Sequence, residues 1–318
     1  MKVLIISGFL GAGKTTFIKA MSDILNRDFV ILENEYASLN VDEDILKEES
    51  ELSVWELTEK CICCTGKTDF ALNILTIANS IAPEYLIVEP TGVGYLSNVI
   101  NNISQIEYEQ IEYEQIEMLA PIAIIDPNCF FKHIDEYPEL LTDQIKCADT
   151  IILSKCDKSV DIDVEAVVSK VKAINADANI ISKHYSRLPH ASWEEFLLRK
   201  RDGSIEIPEI QEETEFESIS VPNAELPSIG DIVFFLEDLI RKRYGNIIRA
   251  KGTMGVSDAL IRFDVSDGNY AISQADPESK RGCVFIGDDI KAGDLRIKLL
   301  PISFARPGFD NPRRETMR

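Results

Sequence analysis

The run GFLGAGKTT sets Gly8, Gly11, Ala12 and Gly13 ahead of Lys14, Thr15 and Thr16. Its spacing is G-x-x-x-x-G-K-[ST], and it lies between an apolar run at residues 3–6 and a helical pattern over residues 17–25. In a strand–loop–helix setting this is a phosphate-binding loop. Glycine tolerates positive φ, so the backbone can fold around an anion. The loop amides and the helix N-terminus then point at phosphate oxygens. Lys14 is expected on the β- and γ-phosphates and the Thr15 hydroxyl on Mg²⁺. The bland alternative is a tight turn with an incidental lysine, which the flanking elements disfavour.

Ser154-Lys155-Cys156-Asp157 follows a second apolar run and has the form [NTS]-K-x-D. Such an aspartate accepts two hydrogen bonds from the N1–H and N2–H₂ edge of guanine, while the lysine stem packs on the base. Adenine lacks that donor pair and would leave Asp157 unpaired, at about 1–3 kcal/mol. GTP is therefore expected over ATP. Glu89 ends an apolar strand and Gly92 follows it as Glu-x-x-Gly. The spacing predicts the carboxylate beside Mg²⁺ or its water and the Gly92 amide beside the γ-phosphate, as in a switch element. Asn34, Glu35 and Asp42 fall in an acidic segment suited to a first switch loop. Catalysis by Lys14, Glu89 and Gly92 would be positioning and charge stabilisation, since phosphoryl transfer leaves little covalent work to the protein.

Cys61, Cys63 and Cys64 place three thiols within four residues. Thiolates suit Zn²⁺ and other thiophilic ions, and three ligands leave a fourth position open. Glu59, Glu35 or a water could fill it. Buried apolar thiols or a vicinal redox pair are the alternatives. For the scattered Cys129, Cys147, Cys156 and Cys283 the ordinary reading as small buried side chains holds.

These residues need a scaffold that brings them together. Strand-like runs lie at 2–7, 29–33, 85–89, 122–126, 150–154 and 179–182, with helical stretches at 67–81, 134–147 and 163–174 between them. β-Branched runs alternating with helices predict a doubly wound parallel α/β sheet, whose ligands sit at the carboxyl ends of the strands. The motifs ending or following those strands all fall at that edge. The first domain is expected over 1–198, with a polar, acidic connection at 199–215. A smaller α+β domain over 216–302 is expected from strands at 216–221, 246–254, 259–265, 270–273 and 282–286 and helices at 229–242 and 290–299. A tail at 303–318 completes the chain. The tandem repeat QIEYE-QIEYE-QIE, residues 105–117, fits neither secondary-structure period and reads as a duplicated surface segment in a loop or helix extension.

The 318 residues are 45% hydrophobic and 27% charged, with a formal net charge of −21. Such a balance disfavours nucleic-acid backbones and anionic membrane surfaces, which need clustered Lys and Arg. The sequence shows no export signal and no apolar run of about 18 residues. A cytoplasmic setting is expected, where grouped thiols mean metal or redox chemistry rather than disulfides.

Taken in order, GFLGAGKTT, NEYASLNVD, CICC, EPTG and SKCD resemble the CobW-type GTPases, relatives of HypB and UreG. Ile248 to Gly252 and Val284 to Gly287 are similar to strands of the CobW C-terminal domain. The resemblance implies a SIMIBI-type G domain whose GTP binding and hydrolysis to GDP are coupled to metal capture, with zinc or cobalt as cargo. It implies delivery to a client metalloprotein, or chaperoning of a cofactor-dependent enzyme, and a nucleotide-dependent homodimer. By resemblance Lys14, Thr15 and Thr16 carry phosphate and Mg²⁺ contacts, Glu89 and Gly92 the second switch, Asp157 the guanine, and Cys61, Cys63 and Cys64 the metal. The chain departs from the family pattern at Lys60, Ala37, Ser38 and Pro90, and no histidine follows His190.

Overall fold

The computed structural model describes residues 1–27, 29–33, 53–56, 67–109, 116–156, 163–201, 208 and 216–300. Asn34, Glu35, Asp42, Glu59, Cys61, Cys63, Cys64, Asp157, residues 110–115 of the repeat and the 303–318 tail lie outside them. The chain divides into two compact units, Met1–Glu215 and Phe216–Arg318. No described helix is long and apolar enough to cross a membrane.

The first unit is built on a parallel sheet. Its strands are β1 (Lys2–Gly8), β2 (Val30–Glu33), β3 (Ser53–Glu56), β4 (Tyr85–Glu89), β5 (Glu117–Met118), β6 (Ile122–Ile125), β7 (Thr150–Leu153) and β8 (Asn179–Ile181). They run in the order β3-β2-β4-β1-β6-β7-β8, with β5 beside β1. Helices α1 (Lys14–Leu25), α2 (Lys67–Ser80), α3 (Leu96–Glu109), α4 (Phe130–Glu136), α5 (Pro138–Lys146), α6 (Val164–Ile174) and α7 (His190–Leu198) flank it. The central strands β1, β2, β4, β6 and β7 are largely apolar and buried because both faces are covered. Successive residues of β1 serve opposite faces: Val3 and Ile5 join one core with α2, α3, α5 and α6. Leu4 and Ile6 join a second core with α1 and α7. Each large apolar side chain buried in this way contributes roughly 1.5–3 kcal/mol of transfer free energy.

The apolar period over 134–147 predicts one helix, but the chain makes two. Proline lacks an N–H and its ring disfavours a helical conformation in the preceding residue. Tyr137 accordingly leaves the helical region, at φ −132° and ψ 58°, while Pro138 sits in the first turn of α5. The repeat begins as the end of α3, and Ile106 and Ile116 are buried in the core rather than on the surface. α3, α7 and β3 are additional to the elements expected from sequence.

The second unit is a mixed sheet with helices on one face. Its elements are β9 (Glu217–Pro222), β10 (Glu225–Leu226), α8 (Ile229–Ile240), β11 (Asn246–Val256), β12 (Ala259–Ser266), β13 (Asn269–Gln274), β14 (Gly282–Asp288) and α9 (Ala292–Leu299). The antiparallel order is β13-β12-β11-β14-β9, and β10 pairs parallel to β11. β12 and β13 are joined by Asp267 and Gly268, both at positive φ, the two-residue turn whose twist matches a hairpin. Phe235 and Leu236 of α8 and Leu295 and Leu299 of α9 pack on Ala250, Met254, Phe263 and Phe285.

Candidate functional site

The carboxyl edge of the parallel sheet collects the motif residues that the structure describes. β1 ends at Gly8, and Gly8, Gly11 and Gly13 have φ of 147°, 74° and 98°. A Cβ on Gly8 would stand 2.3 Å from the Ile124 carbonyl oxygen of β6, so the loop leaves the sheet against its neighbour's backbone. Gly13 caps α1 in the left-handed region, with no side-chain cap and no acidic residue in the first turn. The helix therefore presents its N-terminal amides and positive dipole end without a competing carboxylate of its own.

Lys14 is buried and curls back over the loop, its Nζ donating to the carbonyls of Gly8 at 3.0 Å and Phe9 at 3.5 Å. Thr15 Oγ1 donates to the Glu89 carboxylate, 2.9 Å to Oε1 and 3.2 Å to Oε2. The hydroxyl in the first turn of α1 and the carboxylate at the end of β4 are thus one polar pair. Thr16 is exposed beside them. Phe9 anchors the loop from behind, with its ring centroid 4.4 Å from that of His133 and 5.3 Å from that of Tyr137.

Gly92 lies in the turn after β4, where an added Cβ would stand 2.5 Å from the Leu10 amide nitrogen. The turn closes with Gly94 N donating to Thr91 O at 3.0 Å. On the other side of the loop, Ser154 Oγ donates to the carbonyl oxygens of Ala12 at 2.6 Å and Ile125 at 3.2 Å. Lys155, at φ 53°, sends Nζ to the Gly11 carbonyl at 2.8 Å and to Asp126 Oδ2 at 2.7 Å. Asp126 Oδ1 accepts from the backbone amide and side-chain amide of Asn128, at 3.0 and 2.6 Å.

The structure therefore brings Gly8, Gly11, Ala12, Gly13, Lys14, Thr15, Thr16, Glu89, Gly92, Ser154 and Lys155 to one edge. Asp157, Cys61, Cys63 and Cys64 lie outside the described residues. Asp126, Asp143 and Gln144 were not singled out from the sequence. Asp126 had a signal, since it directly follows β6 at the carboxyl edge of the same parallel sheet. Asp143 is buried on α5, and burial raises its carboxyl above its ordinary value despite the hydrogen bond from the Ser97 amide. Burial likewise pushes up the thiols of Cys147 and Cys283, which keeps them protonated and inert.

The nucleotide-binding-domain model of the CobW/HypB/UreG family matches residues 2–182. The chain belongs to this family. Among its CobW-type relatives is the zinc chaperone YeiR of Escherichia coli K12, 26% identical over 187 residues, covering 58% of this chain and 55% of YeiR. The zinc chaperone YjiA of the same organism is 24% identical over 324 residues, covering 92% of this chain and 96% of YjiA. Several curated relatives are matched over only about half their length, as YeiR is. The crystal structure of the hydrogenase maturation factor HypB from Archaeoglobus fulgidus aligns with 62% of this chain and 89% of its own, at 16% identity and a TM-score of 0.46.

Proposed function

We propose that this protein binds and hydrolyses GTP and uses the nucleotide cycle to capture a thiophilic divalent metal and hand it to a client protein. The observation that carries the reading is the pair of ties on one loop: Thr15 to Glu89, and Lys155 to Gly11. The first assembles a hydroxyl and a carboxylate, hard oxygen donors of the kind Mg²⁺ takes. With Mg²⁺ bound there, the ion would neutralise charge on the phosphates. The second joins the phosphate loop to the segment that would read the base.

In this reading the amides of Gly11 to Thr16 cradle the phosphates, with Lys14 turned to them and Thr16 beside them. Ser154 and Lys155 support the base, and Asp157 accepts from its guanine edge. Gly92 meets the γ-phosphate. Cys61, Cys63 and Cys64 hold the cargo, zinc first and cobalt second; the zinc chaperones among the relatives support that order. We take residues 1–198 as the G domain, 199–215 as the connection and 216–302 as the CobW-type C-terminal domain. The protein would work in the cytoplasm on a client metalloprotein, with a homodimer forming in one nucleotide state.

The test has two arms. Hydrolysis assays with GTP and ATP are expected to show turnover of GTP and little of ATP; equal rates would remove the guanine reading. Competition titrations with Zn²⁺ and Co²⁺, with and without a non-hydrolysable GTP analogue and Mg²⁺, are expected to show one tight site. That site is expected to vanish in Cys63→Ser/Cys64→Ser and to shift roughly 5- to 150-fold with nucleotide, the range of a coupling of about 1–3 kcal/mol. Absence of a stoichiometric metal site in either state would overturn metal delivery and leave a G-protein chaperone of a cofactor-dependent enzyme.

A further inference from the structure

The turn after β4 is held on several sides. Gly94 N closes it on the Thr91 carbonyl at 3.0 Å. From α5, Gln144 Nε2 reaches across to the carbonyl oxygens of Gly94 at 3.1 Å and Gly92 at 3.4 Å. The adjacent Asp143 takes the Ser97 amide on Oδ2 at 3.1 Å, which fixes the first turn of α3 just beyond. Both α5 residues are buried, Gln144 to 2% and Asp143 to 5% exposure. Gln144 Oε1 has no hydrogen-bond partner among the described residues. With two carbonyl oxygens facing the other end of its amide, only the nitrogen can face the turn.

This arrangement fixes a direction. A trans, planar peptide points its N–H opposite to its carbonyl. The Gly92 N–H therefore runs opposite to the Thr91 carbonyl, which the Gly94 amide holds. The next peptide carries the Gly92 carbonyl, which Gln144 holds. Both peptide planes flanking Gly92, a residue with no side chain to restrain it, are thus held by these two contacts.

We propose that Gln144 is a positioning residue of the triphosphate-sensing turn: from α5 it aims the Gly92 N–H, with Asp143 as a second anchor on the helix that follows. The proposal rests on the GTP reading above. Because a ligand shifts an equilibrium only through contacts that differ between states, the effect is confined to nucleotides with a γ-phosphate. GDP has no atom at that position and does not depend on Gln144.

The experiment uses the full chain. Affinities for a fluorescent GDP and for a non-hydrolysable GTP analogue, both with Mg²⁺, are compared in wild type and Gln144→Met, a swap of similar shape that removes the donor. The expected result is a loss of about tenfold for the analogue, the scale of one lost hydrogen bond with buried acceptors left behind. GDP affinity is expected to stay within about twofold and kcat to fall; the stability lost to the orphaned carbonyls is common to both nucleotides and leaves the analogue-to-GDP ratio untouched. Gln144→Asn keeps the amide but withdraws it by one methylene, and the same sign is expected there. If both nucleotides weaken equally, or the analogue-to-GDP ratio stays constant in the two variants, the proposal is overturned. A wild type that does not prefer guanine nucleotides overturns the GTP reading instead, and that failure is visible before any variant is made.

Discussion

Lys155 Nζ stands 2.8 Å from the carbonyl oxygen of Gly11, so one ammonium ties the loop after β7 to the phosphate loop after β1. Asp126, only 7% exposed at its side chain, holds the same ammonium at 2.7 Å and is itself fixed by Asn128. In the proposed GTP reading, base and phosphate contacts would be coupled through this ammonium. A change at Lys155 moves the backbone around Gly11 as well as any base packed on its stem.

Lys155→Met keeps the stem and removes the charge. It leaves Asp126 buried without its cation, a loss of about 1–3 kcal/mol in stability for a hydrogen bond to a charged group. Guanine nucleotide affinity is expected to fall about tenfold. Adding Asp126→Asn to the same chain should recover stability but not affinity, because it removes the orphaned charge without restoring the tie. A double-mutant cycle read by denaturation and by fluorescent GDP titration separates the two effects. Recovery of affinity in the double variant would contradict the coupling.

The phosphate loop was legible in the sequence because its chemistry is local: Gly8, Gly11 and Gly13 supply the positive φ values and Lys14 and Thr15 follow at once. Most of the parallel sheet was legible too, since β1, β2, β4, β6 and β7 are apolar runs, whereas the short β3 (SVWE) carries no such signal. Contacts that close over distance were not. Gln144 meets Gly92 across 52 residues, and nothing in the local pattern of α5 marks it. The break at Tyr137 was signalled by Pro138, but the apolar period of residues 134–147 runs through it and masks the stop. In α7, Trp193, Phe196 and Leu197 have helical spacing, yet the element has only 9 residues, too few for the period to stand out.

Two glycines of the loop separate steric cost from backbone strain. Gly8→Ala drives a Cβ to 2.3 Å from a strand carbonyl and holds alanine at φ 147°. Gly13→Ala has nothing nearer than 3.9 Å and faces only its φ of 98°. The second is expected to cost about 1–2 kcal/mol, the penalty of a left-handed residue. The first should exceed it by at least about 2 kcal/mol, because strain and a backbone clash add. Denaturant midpoints rank the two, and equal midpoints would contradict the close approach of Gly8 to β6.

Trp193 is fully buried and stacks on Phe17 with ring centroids 5.1 Å apart, which backs α1 just behind the phosphate loop. Trp193→Ala is expected to cost about 3–5 kcal/mol. Trp193→Phe should cost under about 1.5 kcal/mol, since it keeps most of the ring volume. It also removes an indole N–H that has no partner among the described residues. If α7 supports the loop through Phe17, the alanine variant also weakens nucleotide binding and the phenylalanine variant does not. Equal binding in all three chains would confine Trp193 to stability.

Asp143 makes a prediction about pH whose sign follows from burial. Desolvation raises its carboxyl in the folded protein above the value it has in the unfolded chain, outweighing the hydrogen bond from the Ser97 amide that favours the charge. Between those two values the folded state binds more protons than the unfolded one, so stability declines as pH rises through that window. Above the window the whole charge is carried at a desolvation cost. Below it the group is protonated in both states and the cost is gone. Asp143→Asn removes the titration while keeping an oxygen for the Ser97 amide. Its stability relative to wild type is therefore expected to be most favourable at neutral pH and to become less so as pH falls through the window. Urea unfolding of both chains at a series of pH values from neutral to about 4, within the range where carboxylates titrate, reads the difference. A wild type that gains on the asparagine variant as pH rises would mean that the Ser97 contacts, not burial, dominate this carboxylate.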